Sequence, residues 1–270
     1  MRVYHPVIIV LLLFLSKTAS SQSRDTLINV GQHKLNFSIL PGTGTPIVFE
    51  SGAGNDGTVW KEVMTLVKQK ISAPLIAYDR AGFGKSGIDT TNVNISSEVK
   101  NLENALKQLN FNDKLFFVAH SLGGNYAMKF ISTNPNKVKG AVFIDNVSPT
   151  FMNEERATYT KNLFIDSLEH IKKESIGFYH LVLNYENTSA VMRQVSTSIE
   201  TPLTIIASGL TPFEGNDRAL FLSSLKQFSE QRDNRKYILV ENAEHYVFYD
   251  EPILVADEIV KLYNQVNSKN

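Results

Sequence analysis

Cysteine is absent from all 270 residues, which excludes a disulfide framework, a thiolate metal site and a cysteine nucleophile. A surplus of charge is also missing. Lys and Arg number 27, as do Asp and Glu, so nothing draws the chain toward nucleic acid or an anionic membrane surface. The six histidines do not cluster at metal-ligand spacing and no HExxH occurs, so neither a metal nor another cofactor is expected. Internal repeats and low-complexity tracts are lacking too. No apolar run approaches the ~20 residues of a membrane span. The longest, VIIVLLLFL (Val7–Leu15), follows Arg2 and precedes the small-residue stretch SKTASSQS. That order predicts a secretory signal over residues 1–21, cleaved near Ser21–Gln22, with an uncleaved anchor as the alternative. Its removal takes away Arg2 and Lys17 and no acid, leaving 25 basic against 27 acidic residues. A secreted or periplasmic protein without cysteine fits a bacterial envelope, and no stable membrane insertion is expected once the signal is gone.

What is present suits one globular domain, or one carrying an inserted subdomain: 43% hydrophobic and 20% charged residues. TLINV and KLNFSIL alternate around GQH and read as an antiparallel hairpin. TPIVFES, APLIAYD, KLFFVAH and VKGAVFIDN are buried strands. Between them TVWKEVMTLVKQK, SSEVKNLENALKQLN and LGGNYAMKFISTNP have helical spacing, with Trp60, Val63, Met64 and Val67 on one face of the first. The alternation predicts an α/β fold with a mostly parallel, doubly wound sheet. It stops after Pro149, where only helical patches follow (FIDSLEHIKK, IGFYHLVLNY), and resumes with TPLTIIAS, RALFLSSLKQFSEQ, KYILVEN and a terminal helix. Residues 22–149 and 201–270 are therefore expected to form the core, and residues 150–200 a helical lid inserted between two sheet strands.

Ser121 stands at a strand-to-helix corner, Ala119-His120-Ser121-Leu122-Gly123. This is the nucleophile-elbow pattern G-x-S-x-G with Ala at its first position. The small neighbours suit a turn that holds the serine in a strained conformation. A serine that merely caps the helix is the alternative. His245, in ENAEHYVFYDEP, lies after the last strand. The carboxyl ends of parallel strands share one edge, so His245 can serve as base for Ser121. FESGAGNDG follows the strand ending at Glu50, and its glycines let backbone N–H groups approach a substrate. The N–H groups of Ala53 and Leu122 could then hold an oxyanion.

SGAGNDG, YDRAGFGKSG, AHSLGG and EHYVFYDEP together resemble the α/β-hydrolase superfamily over nearly the whole mature length. YDRAGFGKSG is similar to its D-x-R-G-x-G-x-S element, with a departure at Ala81–Gly82. That element shapes the fold beside the site, so the resemblance gives Asp79 and Arg80 no catalytic role. The family's acid usually follows the strand that here reads LTIIAS, but SGLTPFEGND has no Asp before Asp217. A minority of the family places the acid one strand earlier, which points to Asp145 in AVFIDNVSP, with Glu214 and Asp217 as alternatives. The resemblance implies a serine hydrolase, carboxylesterase-like, cleaving a small or medium-sized ester through an acyl-enzyme. A serine at the elbow argues against haloalkane dehalogenases and epoxide hydrolases, which use Asp there. Phe164, Phe178, Tyr179 and Tyr185 suggest an apolar acyl pocket. An aminopeptidase or amidase of the same fold, binding a substrate amine through Glu154, Glu155 and Asp166, is an alternative, as is a non-catalytic ligand-binding member.

Overall fold

The computed structural model describes residues 23–268, so the signal segment expected over residues 1–21 lies outside the described residues. The hairpin comes first, as β1 (Arg24–Asn29) and β2 (Lys34–Leu40), paired antiparallel. Six further strands follow: β3 (Ile47–Glu50), β4 (Leu75–Tyr78), β5 (Leu115–His120), β6 (Val138–Ile144), β7 (Leu203–Leu210) and β8 (Arg235–Glu244). They form one eight-stranded sheet in the order β1-β2-β4-β3-β5-β6-β7-β8, parallel from β4 onward.

Alternate residues of each central strand enter different cores, as the period of two requires. Phe117 and Ala119 of β5, with Ala141 and Phe143 of β6, join the core that buries α2 (Ile95–Gln108), α3 (Gly123–Thr133) and later α8 (Gly215–Glu230). Phe116 and Val118, with Val142 and Ile144, face the opposite core under α1 (Lys61–Lys70) and α10 (Pro252–Asn267). This is why these strands read as unbroken apolar runs. The four residues expected on one face of the first helix are all buried, and Trp60 ends the 3₁₀ turn Gly57–Trp60 that leads into α1. A tryptophan with no exposed surface, tilted against Phe49 at 5.4 Å and Phe248 at 4.7 Å, ties β3 to the segment beyond β8.

Between β6 and β7 stand α4 (Glu154–Asn162), α5 (Leu168–Glu174), α6 (Ile176–Leu183) and α7 (Tyr185–Ser196), with a 3₁₀ turn at Ile165–Ser167. The sequence pattern shows α5 and α6 but not the two flanking helices. Their buried faces explain why. In α4 only Ala157 is buried, while α7 buries Thr188, Ser189 and Ser196 beside Met192. The fully buried positions of neither helix form an apolar stripe. The insertion sits tightly on the loop after β4: a Cβ on Gly82 would lie 2.7 Å from the Gly177 Cα, so backbone meets backbone there. The short α9 (Val247–Asp250) lies between β8 and α10.

Candidate active site

β5 delivers its last residues to the carboxyl edge of the sheet and the chain reverses at once into α3. Ser121 makes that reversal at φ 52°, left-handed backbone that a non-glycine residue adopts at a cost of order 1–3 kcal/mol. Its N–H donates to the Ile144 carbonyl at 3.0 Å, locking the corner to the end of β6. The need for a small residue at Gly123 has a more specific cause than crowding across the turn. A Cβ there would lie 2.6 Å from the Ser51 carbonyl and 2.7 Å from that of Glu50. The start of α3 is pressed against the end of β3.

β6 ends in the same manner. Asp145 follows Ile144 at φ 42° and is wholly buried. Its Oδ1 accepts the Ser208 N–H at 2.9 Å and its Oδ2 the Thr211 hydroxyl at 3.2 Å. Oδ2 also lies 2.7 Å from His245 Nδ1. His245 Nε2 in turn lies 3.0 Å from Ser121 Oγ. A buried carboxylate accepting from Nδ1–H leaves Nε2 as the acceptor that faces the serine. The two other acids are elsewhere. Asp217 forms a two-pronged pair with Arg156 at 2.7 and 3.0 Å, and Glu214 is an exposed residue preceding α8.

The loop after β3 reaches the same spot. A Cβ on Gly52 would lie 2.6 Å from His120 Nδ1 and 3.3 Å from the Ser121 Cβ, so only glycine lets this backbone lie against the serine. Among the described residues, the next N–H, that of Ala53, and the N–H of Leu122 are not engaged by backbone acceptors of the turns and loops. Beside Ala53 opens a cleft of about 470 Å³ lined by Ala53, Asn55, His170, Glu174, Phe178 and Tyr246 among others; Ser121, Leu122, Asp145 and His245 are not in its lining. Of the four aromatics expected to form an acyl pocket, Phe178 lines this cleft. Phe164 packs edge-on against it at 5.5 Å, Tyr179 lies under the Lys172 ammonium, and Tyr185 packs on the core. Glu154, Glu155 and Asp166 are not in its lining; the carboxylate there is Glu174. A separate cavity of about 370 Å³ between β2 and α1, lined by Asn36, Asp56 and Lys61 among others, likewise contains none of Ser121, Asp145 and His245 and, unlike the cleft, does not include Ala53. Among the described residues, no cluster of three or more His, Asp or Glu side chains is placed to hold a metal.

The family model described as the alpha/beta hydrolase fold matches residues 45–169. That span runs from β3 through the loop after β4, the Ser121 corner and Asp145. The chain is an α/β-hydrolase-fold protein. Among solved structures, the chain resembles a bromoperoxidase from Bacillus anthracis (TM-score 0.69, 18% identity, 89% of this chain and 100% of that one). It also resembles a thermophilic esterase from Thermogutta terrifontis (TM-score 0.64, 16% identity, 91% and 99%). An epoxide hydrolase mutant from Vigna radiata superimposes with TM-score 0.71 at 15% identity over 90% of this chain and 99% of that one. In sequence, it is 26% identical over 230 residues to an uncharacterised Bacillus subtilis protein, YqjL, covering 79% of this chain and 81% of that one. The structural likenesses show the fold and leave the reaction to the site.

Two residues of this hydrolase fold carry more of the site than sequence reasoning gave them. His120 is buried, with its ring 4.5 Å from that of His245. Burial, reinforced by His245, holds its pKa well below the ordinary histidine value, so the ring is neutral. Its Nε2 lies 3.0 Å from the His245 carbonyl, which requires the proton on Nε2 and fixes the backbone from which His245 projects. The clue was its place just before the serine, but a histidine ending a strand has many explanations. The other is Arg80, whose guanidinium is enclosed by Glu50, Phe83 and Tyr126.

Glu98, on α2, borders this charged nest with Tyr126 OH at 3.3 Å. Burial pushes its carboxyl from 4.5 up to about 7, against the pull of Arg80. A carboxyl raised by folding contributes its full stability below the unfolded value, and that contribution is lost as pH rises through the folded one. Glu98→Gln is therefore expected to melt at the same temperature as wild type near pH 4.5. By pH 8 the variant should be more stable by about 1–3 kcal/mol, on the order of several degrees in Tm. Melts of both proteins across that window test this; a constant difference would show that Glu98 does not titrate there.

Proposed function

We propose that the chain is a serine hydrolase that cleaves carboxylic esters of small or medium-sized substrates through an acyl-enzyme. The observation that carries this reading is the continuous path Asp145 Oδ2–His245 Nδ1 at 2.7 Å and His245 Nε2–Ser121 Oγ at 3.0 Å. Both distances lie within the reach that proton transfer needs. In this reading His245 takes the Ser121 proton as Oγ bonds to the substrate carbonyl carbon. Asp145 holds the ring's tautomer and stabilises the imidazolium. The Ala53 and Leu122 N–H groups receive the oxyanion, each such donor being worth roughly 3–4 kcal/mol. His245 then gives its proton to the leaving alkoxide, and water, activated by the same ring, releases the acid. The insertion, with Phe178 over the cleft, acts as a lid that shapes the acyl pocket. The export signal belongs to the same proposal, placing the hydrolase outside the cytoplasm.

A second reading is favoured by Glu174, a carboxylate in the cleft lining that could pair with a substrate amine. Its reaction would be aminopeptidase or amidase chemistry by the same residues. The test is a panel of p-nitrophenyl esters of rising acyl length beside aminoacyl-anilides. Ester turnover that peaks at short or medium acyl chains supports the proposal. Turnover confined to the anilides overturns it in favour of the second reading, and no turnover of either kind refutes both.

A further inference from the structure

We propose that Arg80 is a positioning residue for the reaction: its guanidinium aims the Ala53 N–H at the oxyanion by gripping the peptide unit that carries it. The inference rests on the serine-hydrolase reading above.

β3 and β4 are parallel neighbours, so the loops leaving their carboxyl ends run side by side. Arg80, two residues beyond β4, reaches back under the loop that leaves β3. Its Nη1 donates to Glu50 Oε1 at 2.7 Å and to the Ser51 carbonyl, and its Nη2 to the Gly52 carbonyl at 2.6 Å. Three successive residues are thus held by one rigid fork. The grip is prearranged by its neighbours. Arg80 is 3% exposed, its carbon centre sits 4.9 Å from the Tyr126 ring and 5.4 Å from that of Phe83, and Glu50 is held from its other oxygen by the Tyr78 hydroxyl.

The third contact reaches the chemistry. The Gly52 carbonyl and the Ala53 N–H belong to one peptide unit, and that unit is planar and trans, so its C=O and N–H point in opposite directions. Fixing the carbonyl on Arg80 fixes where the N–H points. The same peptide lies against the serine, since a Cβ on Gly52 would stand 3.3 Å from the Ser121 Cβ. The other restraint on that carbonyl is the Asn55 N–H at 3.4 Å, a long contact that a loop rich in glycine would not keep unaided. A cation on the carbonyl also polarises the amide, making its N–H a stronger donor. The buried ion pair is weak evidence of stabilisation; its geometry instead points to orientation.

The experiment compares wild type with Arg80→Lys and with the double variant Glu50→Gln/Arg80→Gln, which leaves no unpaired buried charge. Folding is checked by thermal melting. The readouts are kcat and KM on the best ester of the panel, and Ki for a trifluoromethyl ketone matched to its acyl group, whose adduct with Ser121 places an oxyanion where the tetrahedral intermediate would have one. The expected result is a kcat/KM lower by roughly 10- to 100-fold in the folded double variant, carried by kcat with KM within about twofold. Ki should rise by the same factor, and Arg80→Lys, which keeps a cation, should fall between. Unchanged kcat and Ki in a folded double variant would overturn the proposal, as would a loss carried by KM alone with Ki unmoved. An unfolded double variant leaves Arg80→Lys to decide: equal losses in kcat/KM and Ki uphold the proposal and wild-type values sink it. If wild type itself neither turns over the ester nor binds the ketone, the serine-hydrolase reading has failed, and this is visible before any variant is examined.

Discussion

Ser121→Ala is expected to lower kcat on the preferred ester by about a million-fold, the scale on which loss of a serine nucleophile removes the whole covalent route. The substitution deletes one oxygen and leaves the Cβ, so the corner at φ 52° is no more strained than before. The Ser121 N–H still binds the Ile144 carbonyl. The fold should therefore be intact, with a melting temperature close to wild type. What remains should be the residual acceleration from the oxyanion donors and binding alone. A fluorophosphonate probe gives an independent measurement: one label per wild-type chain and none on the variant. Labelling that persists at wild-type stoichiometry would assign the nucleophile elsewhere.

Asp145→Asn should cost about 10⁴-fold in kcat, and the hydrogen bonds around Asp145 explain why. Its Oδ1 is engaged by the Ser208 N–H, a donor that only an oxygen can accept. In the variant the amide oxygen takes that place and the NH₂ group falls where Oδ2 was, facing His245 Nδ1. Nδ1 must then accept, which moves the ring proton to Nε2, and Nε2 can no longer take the proton of Ser121 Oγ 3.0 Å away. Asp217→Asn breaks a pair with Arg156 in which Asp217 is 47% exposed. Such an exposed pair contributes little to stability and nothing to the ring. Glu214→Gln should be equally mild. Kinetics of the three variants under one assay separates these expectations; a crippled Asp217→Asn beside a near-normal Asp145→Asn would reverse the assignment.

Much of the architecture is visible in the chain because buried parallel strands and amphipathic helices leave strong periods. The runs around Phe117 and Phe143 are apolar on both faces, and the α2 stripe from Val99 to Leu106 is complete. The corner at Ser121 is legible for the same reason: a strand, two glycines and a helix follow one another without a gap. What the sequence leaves open depends on contacts distant along the chain. Choosing among Asp145, Glu214 and Asp217 needs the positions of Ser208 and Arg156, 63 and 61 residues from Asp145 and Asp217. The roles of His120 and Arg80 rest on carbonyls, which every residue has, so no residue type marks them. In the insertion, α7 turns serines and a threonine inward, and a hydropathy pattern does not anticipate that choice.

Two neighbouring strands, β5 and β6, each end in a left-handed residue that carries a side chain, Ser121 at φ 52° and Asp145 at φ 42°. Glycine would adopt either conformation without strain. Relief of backbone strain alone would therefore favour glycine at both places, at the loss of the hydroxyl and the carboxylate that the proposed reaction needs. The present sequence instead holds an energetic deficit at two adjoining sites, on the order of 1–3 kcal/mol each, which the dense apolar layers on both faces of the sheet must outweigh. That sets the terms for engineering. Stabilising changes have room in the surface helices and the hairpin, whereas a design that relieves backbone strain would erase Ser121 and Asp145, and must be told to leave them.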